Sequence, residues 1–503
     1  MVMKSLLIFT FNNGSEKRMR NRLFFAVFVG IALAWVGCSD GDTVTTPAEA
    51  PETFSFERGG ESTVSVTGQI TRQLLISDLT GLIRAISAEV LAGENLEQYD
   101  TPDKVLAWLT PLYEEGGGAN PNRPLPILVE AGDTALQTVY ADLNDANLQD
   151  KLAGNDSVTD HADWNGGAFV GWSTSNLVVN TQGDLGAPDT PERLVLALLR
   201  TFATQAATGA TGSFPIDATA PLYLTADGLD LAQLTQAVLL SGVNFSQGVD
   251  DYLDDDVEGK GLLAANELDG DESYTSLEHH WDEGYGYFGG ARDYGMYTDD
   301  EIAGEGGREA YRAGYFDSNA DGAVDLSAEF NYSAAVDAAK RDRDSAEDAR
   351  TDFTGDADLA WRTGRAIIAA AHDAGEEVDA AAVGVQRDII VSSWEKVIAA
   401  TAVHHINQVL LDMDSIGTGD YDFGDHAEHW SALKGFALAF QFNPRSPMSA
   451  TEFAAIHAAI GDAPAGASPT SPTDEMDYRA QLLDARALIG DAYDFDEANL
   501  TAW

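Results

Sequence analysis

The chain has 503 residues, 44% of them hydrophobic, with one cysteine and a net charge of −53 from 82 acidic and 29 basic side chains. One cysteine rules out an internal disulfide; because it is Cys38 and none follows, the chain beyond it has no thiol for catalysis or a thiolate metal site, and the charge opposes any nucleic-acid partner, whose backbone needs cations. The acids are spread along the whole chain and only eight bases are lysine, the pattern of proteins from very salty media, where salt screens self-repulsion, so most carboxylates read as a solvated face.

The first element is a leader. Lys17, Arg18, Arg20 and Arg22 precede an uncharged apolar run over residues 23–37 (LFFAVFVGIALAWVG), and Cys38, Ser39 and Asp40 follow it. A basic stretch, a short apolar stretch and a small residue at the cut make a secretory signal, of ordinary length when read from Met19. The run is shorter than the ~20 residues that span a bilayer. With a cysteine immediately after the cut, it resembles a bacterial lipoprotein signal, with Cys38 as the acylated first residue of the mature protein. Ser39, where Asp would favour inner-membrane retention, points to an outer-membrane lipoprotein on the periplasmic face or the cell surface. The expected membrane partner is reached through that lipid anchor.

Residues 39–52 (SDGDTVTTPAEAPE) are polar and Pro/Thr-rich and read as a flexible tether. Phe54, Phe56, Val64 and Val66 alternate around Gly59-Gly60, a β-hairpin signal. From residue 68 the pattern is helical, with Ile70, Leu74, Leu75, Leu79, Leu82, Ile83 and Ile86 at helical spacing. Further amphipathic stretches lie near 102–114, 191–208, 229–242, 331–350, 357–373, 378–413, 426–441 and 450–461. The clearest is 378–413, where Ile390, Trp394, Ile398, Thr401, His405 and Val409 form one seam. Val178-Val179 and the run from Pro126 to Val129 are the other strand candidates. Residues 246–330 are rich in Gly, Asp and Tyr with little periodicity, and a loop of that length inside a domain is usually functional or disordered. Its aromatics argue against disorder. The expectation is a mainly α protein: a helical bundle over 53–503, with a short N-terminal β-hairpin, lobes at 53–245 and 331–503, and a long middle insertion.

Three groups of residues carry candidate chemistry. His280 and Glu283 form an HxxE pair, which a helix places on one face, and imidazole with carboxylate suits iron or zinc. Asp317, Asn319, Asp321 and Asp325, with Gly322 at the turn, follow the Ca²⁺-loop pattern. The closing Glu329 comes one position late, and the alternative is a surface Asx-turn capping a helix that starts near Leu326. His405 on the long seam and His429 on the next helix are candidates to complete a shell with His280 and Glu283, since a bundle site draws ligands from several helices. His161, His372 and His457 show no grouping and read as surface residues. Gly284, Gly286 and Gly289 spell GxGxxG, but without a preceding strand the dinucleotide context is missing. Neither HExxH nor GxSxG occurs.

The stretch HHWDEGYGYFG at 279–289 resembles the imelysin family, exported helical proteins linked to iron uptake and grouped with peptidases, with a fold of two four-helix bundles. The order TFSFERGGESTVSVTGQ at 53–69, HHWDEGYGYFG at 279–289, DSNADGAVDLSAEFNYSAAVDAAKRD at 317–342 and HWSALKGFALAFQFNP at 429–444 resembles bacterial lipoproteins sharing domain of unknown function 4856. These resemblances imply a helical, surface-anchored protein; with the HxxE pair they give the expectation of a bound iron or zinc in an imelysin-like iron-acquisition role, and the loop pattern itself adds a separate Ca²⁺. The alternatives are a metallopeptidase using the HxxE pair, which needs an open coordination position, and an interaction module without transition-metal chemistry whose aromatic 281–297 stretch meets a partner.

Overall fold

The computed structural model describes residues 49–119, 121–126, 129–130, 132–155 and 168–503. The leader, Cys38, most of the tether, His161 and part of the Pro126-to-Val129 run lie outside these residues. Strands β1 (Glu57–Arg58) and β2 (Glu61–Ser62) pair antiparallel with Arg58 opposite Glu61. Gly59 and Gly60 between them both have positive φ, 65° and 89°, the two-residue turn whose twist matches flanking strands. Phe54, just before the hairpin, stacks on Tyr285 at 3.9 Å between ring centroids, so the hairpin end of the chain is seated on the middle segment.

Fourteen α-helices among the described residues dominate the fold. α1 (Thr67–Ala92) follows the hairpin, then the short α2 (Leu96–Tyr99) and α3 (Pro102–Thr110). Strands β3 (Leu177–Val178) and β4 (Leu185–Gly186) form a second two-stranded pair ahead of α4 (Pro191–Ala210) and α5 (Leu231–Leu239). Thr190 and Asp230 cap α4 and α5 through their side chains, which satisfies backbone N–H groups that a helix start leaves open. α5 runs on into two π-helical segments, Leu240–Phe245 and Gln247–Tyr252, a rare geometry that is frequent at functional sites. The long middle is irregular for most of its length. It nevertheless contains α6 (Ser276–Phe288) and the short α7 (Asp299–Ile302).

The second half comprises α8 (Ser333–Asp344), α9 (Phe353–Ala374), α10 (Ala380–Ser415), α11 (Phe423–Leu438), α12 (Ala450–Ile460), α13 (Met476–Tyr493) and α14 (Glu497–Ala502). At 1.5 Å per residue the 36 residues of α10 reach about 54 Å, and this spine packs against α8, α9, α11 and α13. Its seam residues Ile390, Trp394, Ile398, Thr401 and Val409 are buried. Glu395, also buried, accepts hydrogen bonds from Asn443 Nδ2 and Ser446 Oγ, each at 2.6 Å, and from Tyr493 Oη at 2.9 Å. It thereby ties α10 to α13, a helix outside the stretches with clear periodicity. No helix among the described residues is long and apolar enough to cross a membrane.

One hydrophobic core joins both halves and the middle. Trp281, Trp361, Trp394 and Trp430, from α6, α9, α10 and α11, are fully buried, and truncating such a residue costs about 3–5 kcal/mol. Trp281 meets Trp361 edge to face at 5.4 Å and donates to its carbonyl at 2.9 Å. The glycines of the GxGxxG stretch serve this packing. A Cβ on Gly284 would lie 3.0 Å from Trp361, one on Gly286 2.8 Å from the Gln69 Cβ, and one on Gly364 2.1 Å from Trp281. They allow close helix approach.

Candidate functional site

α6 begins with a capping box: Glu278 N donates to Thr275 Oγ1 at 3.1 Å, and Thr275 N donates to Glu278 Oε2 at 2.8 Å. Fully buried Glu278 also pairs with Arg365 at 2.8 Å and Arg58 at 2.9 Å. Burial alone would raise its carboxyl; Arg58 and Arg365 more than reverse this and hold it below its ordinary value. Asp282, one turn on, receives Arg365 Nε at 2.8 Å, yet burial pushes its carboxyl up to about 7. These two acids lock α6 to α9.

His280 and Glu283 lie on the other side of α6. His280 Nδ1 is 3.1 Å from the Gly261 carbonyl oxygen; a carbonyl only accepts, so Nδ1 is the donor in this contact and Nε2 is the nitrogen not engaged by it. Glu283 Oε1 accepts from Gln69 Nε2 at 2.7 Å, and its Oε2 is 3.8 Å from His279 Nε2. The histidine paired with Glu283 is thus His279, whose ring stacks on Tyr274 at 4.5 Å. None of the contacts of His280 or Glu283 is shared with His405 or His429.

Asp317, Asn319, Asp321, Asp325 and Glu329 share one loop. Asp317 accepts from Asp321 N at 3.2 Å and Gly322 N at 2.9 Å, and Asn319 Oδ1 accepts from Asp321 N at 2.9 Å. Buried Glu329 reaches back to Ser318 N at 2.9 Å and to Asp325 N at 3.0 Å. Arg292 Nη2 lies 3.7 Å from Asp325 and 4.0 Å from Glu329. The loop is pinned to the first half through Val324 N, which donates to Thr134 O at 2.7 Å, and Gln137 Nε2, which donates to Asp325 at 2.9 Å. Among the described residues, no group of three or more His, Cys, Asp or Glu converges to hold a metal ion.

Four more histidines, His404, His405, His426 and His429, gather where α10 meets α11. The His405 ring is 5.0 Å from His404, 6.3 Å from His429 and parallel to Phe436 at 6.0 Å. Burial drives His405 well below its ordinary pKa, with His404 and Arg341 adding to the effect, and takes His404 down to about 3. Both are neutral rings at ordinary pH. For His429 burial works downward, but Asp412, 2.8 Å from Nδ1, more than reverses it and raises the pKa. His426 is buried with Nδ1 3.2 Å from the Tyr421 hydroxyl. His457, expected at the surface, is buried against Phe453 with Nε2 3.1 Å from Ala437 O; its position on the inward face of α12 outweighs its polarity. His372 is half-buried, with Nδ1 3.1 Å from Asn266 O.

His404 and His405 form one wall of a cavity of about 530 Å³ between α1, α5, α8, α10 and α11. α1 contributes Gln73 and Ser77, α5 Gln233 and Gln236, and α8 Asp337, Lys340 and Arg341. Phe330, Tyr332 and Phe436 supply aromatic faces. The exposed lining residues are Ser77 and Lys340. At the inner end a recess continues past Ser333 to Asn244 on the π-helix and Trp394. Gln73 organises that end: its Oε1 accepts from Asn244 Nδ2 at 2.8 Å and from Ser333 Oγ, while its Nε2 donates to Tyr287 O at 2.9 Å. Four buried polar atoms on the lining residues have no hydrogen-bond partner among the described residues: Arg341 Nε and Nη1, Thr401 Oγ1 and His405 Nδ1. Burial pushes the Asp337 carboxyl up, with Lys340 and Arg341 opposing.

A larger groove, about 960 Å³, runs beside Trp172, Phe440 and Phe453. Its acid, Asp462, is already engaged by Lys434 Nζ at 2.9 Å and by Ser173 and Thr174, so the smaller cavity is the stronger candidate. Sequence reading singled out His405 there but not Lys340, Arg341, Thr401 or the glutamines. A signal for two of them existed: in a chain with 29 basic residues, Lys340, Arg341 and Arg343 stand within four positions.

No curated protein and no solved structure matches the chain. One family model matches residues 195–453, a span that includes α6, the Asp317-to-Glu329 loop and every cavity-lining residue except those of α1. On that match, over more than half its length, the chain belongs to the family described as Domain of unknown function (DUF4856).

Proposed function

We propose that this chain is an exported binding protein, tethered to the outer membrane through lipid on Cys38, that holds a small molecule in the cavity between α1, α5, α8, α10 and α11. One observation carries the reading: four buried polar atoms without a partner among the described residues belong to three residues lining the same cavity. Each such atom costs about 1–3 kcal/mol if left unmade, a large sum against a typical net stability of ~5–15 kcal/mol, and a ligand's polar groups would recover it. The volume falls within the ~300–1,000 Å³ of small-molecule sites. The test is mass spectrometry of small molecules released from the full chain in detergent. A compound released by the wild type and missing from a cavity-filling Gln236→Trp variant is the expected result; identical extracts from both refute the reading.

A second reading, the imelysin-like binding of iron or zinc, is favoured by the state of the HxxE pair. The Gly261 carbonyl orients His280 and leaves Nε2 available, while Gln69 orients Glu283; metal ligands are typically oriented by such outer partners. Elemental analysis of protein purified without affinity histidines tests it: about one iron or zinc per chain, lost in His280→Ala, supports a metal role, and equal content in both excludes it. The same measurement reads calcium at the Asp317-to-Glu329 loop.

A further inference from the structure

We propose that the ligand of the cavity is an anionic monosaccharide, its acid group held by Arg341 and Lys340 and its hydroxyls by side-chain amides and hydroxyls of the surrounding helices. The inference rests on the binding reading above and adds the chemical class. The first argument is charge. Acids outnumber bases 82 to 29 along the chain, yet this wall carries two cations, Lys340 and Arg341, against one carboxyl, Asp337. His404 and His405 add hydrogen-bonding nitrogens without adding a negative charge.

The second argument is the state of Arg341. It is 4% exposed, and its one carboxylate hydrogen bond, Nη2 to Asp344, is long at 3.4 Å. Nε and Nη1 have no acceptor among the described residues, and a buried guanidinium favours anionic partners that accept several N–H groups at once. Lys340 stands exposed beside it, placed to meet an anion arriving from solvent. The third argument is the rest of the wall. Gln233 and Gln236 on α5 and Thr401 on α10 add donors and acceptors to the lining, while Phe330 and Phe436 add apolar surface. Hydroxyls around the edge of a ring and C–H groups on its faces are the complement of that surface. A fatty acid would leave the amides unpaired, and a bare inorganic ion would leave most of the volume unused.

The acid group can be a carboxylate or a phosphate, and the experiment separates them. Isothermal titration of the full chain in detergent compares glucuronate, glucose 6-phosphate, glucose and inorganic phosphate. The expected result is that one of the two acidic sugars binds at least tenfold tighter than glucose and than phosphate, and that Arg341→Met and Lys340→Met each weaken it at least tenfold. Lys340 is exposed, so its variant remains informative if Arg341→Met fails to fold. Glucose binding as tightly as the acidic sugars, or acidic-sugar binding untouched by Lys340→Met, overturns the anion assignment and leaves the binding reading standing. If no probe binds while a different compound is still released by the wild type and lost in Gln236→Trp, the sugar class is wrong and the site is right. If nothing is released either, both fail.

Discussion

Replacing Glu395 by Gln makes a quantitative test of the packing between α10 and α13. The residue is 1% exposed, and burial raises its carboxyl from an ordinary 4.5 to about 7 despite hydrogen bonds from Ser446, Asn443 and Tyr493. The folded state therefore favours the protonated form. The cost of ionising it is absent below the unfolded pKa near 4.5, grows as pH rises, and is fully present above about 7. At about 1.4 kcal/mol per pH unit, that step amounts to about 3 kcal/mol of stability lost between pH 4.5 and pH 8. Glu395→Gln keeps the shape and removes the titration. Denaturant unfolding of both proteins at several pH values is the assay, at constant high salt so that surface repulsion stays screened. Asp282 and Asp230, whose carboxyls burial also raises, to about 7 and about 6, titrate in both proteins and cancel in the difference. The variant should gain about 3 kcal/mol on the wild type over that pH range. A difference independent of pH would refute the assignment of the raised carboxyl to Glu395.

Other perturbations address the remaining parts. Gly364→Ala places a methyl 2.1 Å from the Trp281 ring; overpacking of this kind costs about 1–3 kcal/mol, so thermal denaturation should fall by several degrees, and an unchanged midpoint would show that α6 and α9 are loosely packed. Asp412→Asn removes the partner 2.8 Å from His429 Nδ1; with burial then opposed only by the weaker pull of Glu428 and Asp425, the His429 pKa should drop, as followed by NMR titration. Calcium should raise the thermal midpoint of the wild type and leave Glu329→Gln unmoved if the Asp317 loop holds the ion; equal response in both would assign the loop a purely hydrogen-bonded role.

Local signals carried much of the fold. The Gly59-Gly60 turn, the seam from Ile390 to Val409 and the apolar spacing after residue 68 correspond to β1–β2, α10 and α1 because each depends on residues a few positions apart. α13 was harder to see although Tyr478, Leu482, Ala485, Ile489 and Tyr493 form a buried stripe: one member is a bare alanine and two carry hydroxyls. α6 opens with a capping box inside a stretch whose glycines and acids suggested a loop. Gly284 and Gly286 are there to let Trp361 and α1 approach, and Asp282 is there to meet Arg365 from more than eighty positions away, partnerships that no local pattern encodes. The cavity was least legible for the same reason. Its wall is assembled from residues between Gln73 and Phe436, and Lys340 and Arg341 on an amphipathic helix look like a solvated face until α1 and α5 are seen to line the same cavity.

The measurement that tests the central claim most directly is a crystal structure of the full chain purified with whatever it retains. The account predicts a bound small molecule in the cavity between α1, α5, α8, α10 and α11, within hydrogen-bond distance of Arg341 and Thr401. A structure in which that cavity is closed and Arg341 Nε and Nη1 donate to protein acceptors instead would contradict it.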